Sequence, residues 1–122
     1  MNDQFRLSKI GVVMLGVSNG EKSAAFYRDR LGLRVTGQHE SFVFLDAGSV
    51  TLVLSPGLAR AVGNIPGAVE VVFSVEHVRT AYAALREAGV EFTHEPRPVT
   101  GPMWGANFSD PDGHLLSIFG PE

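Results

Sequence analysis

The chain has 122 residues, 44% hydrophobic and 19% charged, with a formal net charge of −3 and no cysteine. A chain of this size suits one compact domain that buries roughly two-thirds of its unfolded surface, and the composition argues against disorder. Disulfides and thiolate chemistry are excluded. There is no basic cluster for nucleic acid, and no run near the ~20 apolar residues of a membrane span.

The N-terminal Met1 to Arg6 stretch lacks the apolar centre of a signal peptide, so a cytoplasmic protein is expected. Residues 10–17 read as a strand, with Val12, Met14 and Gly16 on one face and Val13, Leu15 and Val17 on the other. Ser18 followed three residues later by Glu21 has the spacing of a capping box and predicts a helix from about residue 20 to residue 30. Gly32, just past Leu31, predicts the helix stop. Three strands are then expected at residues 33–39, 42–45 and 50–55, the last two joined by a turn over Asp46, Ala47, Gly48 and Ser49.

Pro56-Gly57 and Pro66-Gly67 mark residues 56–67 as a linker. The plan then repeats. A strand is expected at 68–75, a helix at 78–88 with Val78, Ala81, Tyr82 and Leu85 on one face, and strands at 90–94, 103–109 and 114–119. Asp110, Pro111, Asp112 and Gly113 form a tight turn. Val17 against Val75 is an offset of 58 residues, and Gly32 against Gly89 one of 57. Phe44 with Phe108, Asp46 with Asp110 and Leu52 with Leu116 each give 64. The fold expected is α+β, one domain over 1–122 made of two βαβββ modules, 5–55 and 68–121. Their curved sheets pair to leave a cleft, because a sheet with one helix covers only one face.

With two such modules, the Phe26-Tyr27-Arg28-Asp29-Arg30-Leu31-Gly32-Leu33 run and the Asp110-Pro111-Asp112-Gly113 turn, the sequence resembles the vicinal oxygen chelate superfamily. That superfamily includes glyoxalases, extradiol dioxygenases, fosfomycin-resistance transferases and bleomycin-resistance proteins. The resemblance implies metal-ligand slots on the first and last strands of each module, which fall here at Val12, Val53, Glu70 and Ser117. Valine has no lone pair and serine is a poor ligand, so one carboxylate remains where a catalytic site needs about three protein ligands. His39, His77, His94 and His114 show no pairing at metal-ligand spacing, and are expected at strand edges or beside the second helix. No metal and no cofactor is the expectation. The resemblance also implies a homodimer.

Without metal, the expected site is a largely apolar cleft. Val12, Met14, Val53, Glu70, Val72, Ser117 and Phe119 share the inward orientation by alternation. Phe42, Phe44, Met103, Trp104 and Phe108 join from the third strands, the aromatics as stacking surfaces for a planar ligand. Glu70 is the only charge in its strand. It reads either as the polar anchor of a ligand or a general base, or as a carboxylate at an open sheet end in water or against an arginine. Two functions follow. One is a protein that sequesters an aromatic or antibiotic-like small molecule, similar to the bleomycin-resistance branch. The other is an enzyme of the glyoxalase, dioxygenase or lyase type with non-standard ligands including Glu70, which is the catalytic residue if there is one.

Overall fold

The computed structural model describes residues 5–63, 65 and 69–122. The first module contains β1 (Val12–Gly16), α1 (Gly20–Ala25), β2 (Arg34–His39), β3 (Phe42–Asp46), β4 (Thr51–Ser55) and α2 (Pro56–Val62). The second contains β5 (Glu70–Ser74), α3 (Val78–Glu87), β6 (Arg97–Thr100), β7 (Met103–Ser109) and β8 (Leu115–Pro121). The sheets have the same plan, β1-β4-β3-β2 and β5-β8-β7-β6, with the first strand parallel to the last and the other pairs antiparallel. Each also has a break in register on its outer ladder, between Val35 and Gly37 in one and between Pro98 and Thr100 in the other.

The helix-bearing faces of both sheets merge into one core. Leu15, Val17, Val43, Leu45, Leu52 and Leu54 from the first module cluster with Val78, Ala106, Phe108, Leu116 and Ile118 from the second. Tyr27 is completely buried among them, and its hydroxyl donates to Asp110 Oδ2 at 2.8 Å. Burial, then the Asp110 charge and hydrogen bond, push this hydroxyl far above the ordinary tyrosine value. The turn after β7 closes over α1 through three further contacts. Ser18 N–H and Ser23 Oγ donate to Asp112, and His114 Nε2 donates to the Gly16 carbonyl at 2.7 Å.

Three expectations need correction. The α1 cap is Asn19, whose side chain accepts from Lys22 N–H, because Ser18 is drawn to Asp112 instead. The helix itself runs to Arg30 and stops at Gly32, φ +82°, as expected, its second half a π-helical turn over Phe26–Arg30. Residues 56–62 are helical rather than linker: Ser55 Oγ accepts from Leu58 N–H, and Pro56 occupies the first turn, where its missing N–H costs nothing. The Pro66-Gly67 turn and the Ala68 start of the expected strand lie outside the described residues. Finally, residues 90–94 are not a strand. Phe92 makes a single bridge to Phe108 and stacks between Tyr82 and Phe108 at 4.7 and 5.0 Å, while the edge ladder forms later, over Arg97–Thr100. Pro98 is tolerated there because β6 lies at the sheet edge.

Candidate ligand-binding site

The faces turned away from the core are decided by ladder register. In the first sheet Val12 pairs Thr51, Met14 pairs Val53, and Val53 pairs Phe44, so these side chains share one face with Phe42. In the second, Glu70 pairs Leu115 and Val72 pairs Ser117. Ser117 in turn pairs Asn107, and Phe119 pairs Gly105. Met103 has the same parity as Gly105.

Trp104 and Phe108 have the opposite parity. Phe108 pairs Leu116 and is 1% exposed, in the centre of the core. Trp104 pairs Gly120 and packs against that core with the Arg79 guanidinium over its ring at 4.8 Å. Neither is on the ligand face expected of it. The Phe44-to-Phe108 match is one residue out: Phe44 corresponds in register to Asn107, and Leu45 to Phe108. A one-residue slip in a strand exchanges its faces. Asn107 is among the site residues the sequence reading missed, with His94, Arg97 and Val99, and for Asn107 the apolar alternation Trp104, Ala106, Phe108 was the signal that would have found it.

A cavity of roughly 570 Å³ lies on the second sheet, with Glu70, Val72, Asn107, Ser117 and Phe119 on its floor and Arg97 and Val99 along one side. Gly105 leaves room for the Val99 side chain, whose Cγ2 a Cβ there would meet at 3.1 Å. Of the expected ligand residues, Glu70, Val72, Ser117 and Phe119 come together here; Val12, Met14, Phe42, Phe44, Val53 and Met103 do not line this cavity. The first sheet's corresponding face is partly filled by its own chain. α2 lies across Gly16, where a Cβ would sit 3.1 Å from the Ala59 nitrogen, and Val53 and Ser55 are buried at 1%. Val12 and Met14 remain open, at 48% and 43% exposure.

The polar chemistry of the cavity is a chain of three side chains. Asn107 Nδ2 donates to Glu70 Oε2 at 2.7 Å, and Asn107 Oδ1 lies 2.9 Å from His94 Nε2. His94 Nδ1 lies 2.7 Å from the Glu95 carbonyl. Because both neighbours of the imidazole are acceptors, both contacts are hydrogen bonds when both ring nitrogens carry hydrogen. Glu70 stays exposed, so the carboxylate keeps its hydration and needs no buried countercharge. Its partner is an amide rather than an arginine.

The family model described as the Glyoxalase/Bleomycin resistance protein/Dioxygenase superfamily matches residues 9–118. The chain belongs to that superfamily. Among curated relatives, the uncharacterised protein YraH of Bacillus subtilis (strain 168) is 29% identical, over 91% of this chain and 97% of its own length. Two solved structures share the fold. TnmS3, an antibiotic binding protein from Streptomyces sp. CB03234, superposes with a TM-score of 0.80 at 23% identity, covering 98% of this chain and 100% of that one. A glyoxalase/bleomycin resistance protein/dioxygenase from Nocardioides gives 0.80 at 22%, covering 97% and 86%.

The superfamily's metal slots do not fit a metal in this chain. Val12 and Val53 have no donor atom, and Val53 is buried in the sheet. Ser117 offers one neutral hydroxyl, and Glu70 Oε2 already accepts from the Asn107 amide. Among the described residues no group of three or more histidine, cysteine, aspartate or glutamate side chains is placed to hold an ion.

Proposed function

We propose that this protein binds and sequesters a small, largely planar molecule without a metal, in the cavity of its second sheet. The observation that carries this reading is the cavity itself: apolar walls from Val72, Val99 and Phe119 around a few convergent polar groups, Glu70, Asn107 and Ser117. The donor set at the metal slots supports it, and so does the fold shared with an antibiotic binding protein. The protein works as a cytoplasmic homodimer in this reading. The open apolar residues Val12, Met14, Val72 and Leu115, each at least 40% exposed, are the surface a second copy would cover.

Thermal unfolding against a panel of planar polycyclic compounds, antibiotics among them, tests the proposal. A ligand at a hundredfold its Kd stabilises the native chain by about 2.7 kcal/mol, which raises Tm by roughly 10 °C for a domain of this size. No shift across the panel overturns it. So does stoichiometric zinc, nickel, manganese or iron in protein purified without chelator, which would favour the enzyme reading with Glu70 as a ligand. A dimer in sedimentation that Met14→Asp reduces to monomer supports the assembly; a monomeric native protein refutes it.

A further inference from the structure

The cavity is lined by one acidic and one basic side chain, Glu70 and Arg97, and this bears on what class of molecule it takes. Glu70 lies on β5 and Arg97 on β6, the two outer strands of the second sheet, with β8 and β7 between them. Three strand spacings separate them across the sheet, roughly 14 Å. Arg97 is in register with Gly105, Gly105 with Phe119, and Phe119 with Ser74, four residues beyond Glu70 along β5. That adds an offset of roughly 13 Å along the strands. The two residues are therefore rooted at diagonal corners of one floor, and the Glu70 side chain reaches inward from its corner to Asn107 on β7, the strand beside Arg97.

Neither charge is neutralised by the other module. Arg97 has no ion pair among the described residues, unlike Arg28, Arg34 and Arg79, each of which pairs with a carboxylate. Among the described residues Glu70 has no cationic partner and is held by the Asn107 amide. The Asn107 amide turns its nitrogen toward Glu70 and its oxygen toward His94. Between them the floor is apolar at Val72 and Phe119. Two separated, unpaired charges of opposite sign across an apolar floor match a ligand with the reversed arrangement.

We propose that the site selects aromatic molecules with an acidic group, a carboxylate or ionised phenol, at the Arg97 end and a hydrogen-bond donor, a protonated amine or hydroxyl, at the Glu70 end. This rests on the small-molecule reading above and narrows it to a ligand class. Asn107 is the positioning residue that holds the Glu70 carboxylate in place.

Three bicyclic probes of matched shape test it by calorimetric titration of the full chain: 2-naphthamide, 2-naphthoate and 6-(aminomethyl)-2-naphthoate. The expected order is zwitterion tightest, then naphthoate, then the neutral amide, with each added charge contributing roughly twofold to fivefold, as for exposed ion pairs. Arg97→Gln should remove the preference for naphthoate over naphthamide. Glu70→Gln, which keeps an acceptor for Asn107, should remove only the increment from the aminomethyl group. Equal affinity for all three probes, or preferences that survive both substitutions, overturns the ligand class while leaving small-molecule binding intact. No measurable binding of any probe also overturns it, and the polycyclic panel then decides the broader reading by itself.

Discussion

The two modules share a chain plan, a strand order and even the position of a ladder break, yet their two faces have diverged very differently. On the core face, equivalent positions remain apolar: Leu45 and Phe108, Leu52 and Leu116, and Leu54 and Ile118 all pack in one cluster. On the opposite face, Phe44 is answered by Asn107, Val12 by Glu70 and Val53 by Ser117. The core faces of the two modules bury each other, so both are held to the same requirement of volume and apolarity. Among the described residues the outer faces do not pack against each other. One is left apolar and partly covered by α2, while the other has acquired an acidic corner, a basic corner and an amide between them.

This division predicts that substitutions on the two faces have separable consequences. The largest effect belongs to Phe108. Truncation to alanine removes a fully buried ring stacked on Phe92, and should cost about 3–5 kcal/mol. Phe44→Ala, on the outer face and half-buried beside Phe42 at 6.5 Å, should cost about 1–2 kcal/mol. Urea unfolding of both variants measures the difference. Equal losses would mean that the outer face is as tightly packed as the core, and the contrast between the faces would fail.

The clasp between the modules comes next. Tyr27→Phe leaves the buried Asp110 carboxylate one donor short, with a loss of about 1–2 kcal/mol. Its pH signature follows from the direction of the shift. Folding raises the Tyr27 value, so the stabilisation is fully present below the unfolded tyrosine value of about 10 and is lost as pH climbs above it. In a Tyr82→Phe background Tyr27 is the sole phenol, and its absorbance at about 295 nm should rise only together with unfolding. Phenolate absorbance in a chain whose circular dichroism is still native would show that the hydroxyl is not sealed in the core.

Most of the fold could be read from the sequence because its determinants are local. Gly32 and Gly89 do adopt positive φ, at +82° and +96°, and the alternation in β1 and β5 does sort their faces correctly. What could not be read was set by contacts distant along the chain. Ser18 has the spacing of a cap, but Asp112, 94 residues away, takes its N–H. Residues 90–94 have strand character, yet Tyr82 and Phe108 hold Phe92 as a core aromatic. The site suffered most. Matching Phe44 with Phe108 maximises chemical similarity between the modules, whereas the ladder matches Phe44 with Asn107. A repeat that has diverged in function is least similar at its functional positions, so alignment by likeness passes over them.

The smallest expected effect is also the sharpest probe of that division. At Gly105 an added Cβ would meet Val99 Cγ2 at 3.1 Å and the Ile118 carbonyl at 3.4 Å. The nearer atom is the end of an exposed edge-strand side chain, which can move aside, so Gly105→Ala should change stability by less than about 1 kcal/mol. The same methyl pushes the Val99 side chain toward the cavity between Arg97 and Phe119, and a planar ligand lying there loses contact with the lining. Affinity for a naphthoate probe should therefore fall by roughly tenfold while Tm barely moves. Gly16→Ala is the matched control on the first sheet. There the Cβ would press on the α2 backbone at Ala59, so stability should suffer, by about 1–3 kcal/mol, without a direct effect on the second-sheet cavity. Should Gly105→Ala leave the affinity unchanged, the ligand does not rest on this floor, and the polar face of the second module would need another explanation.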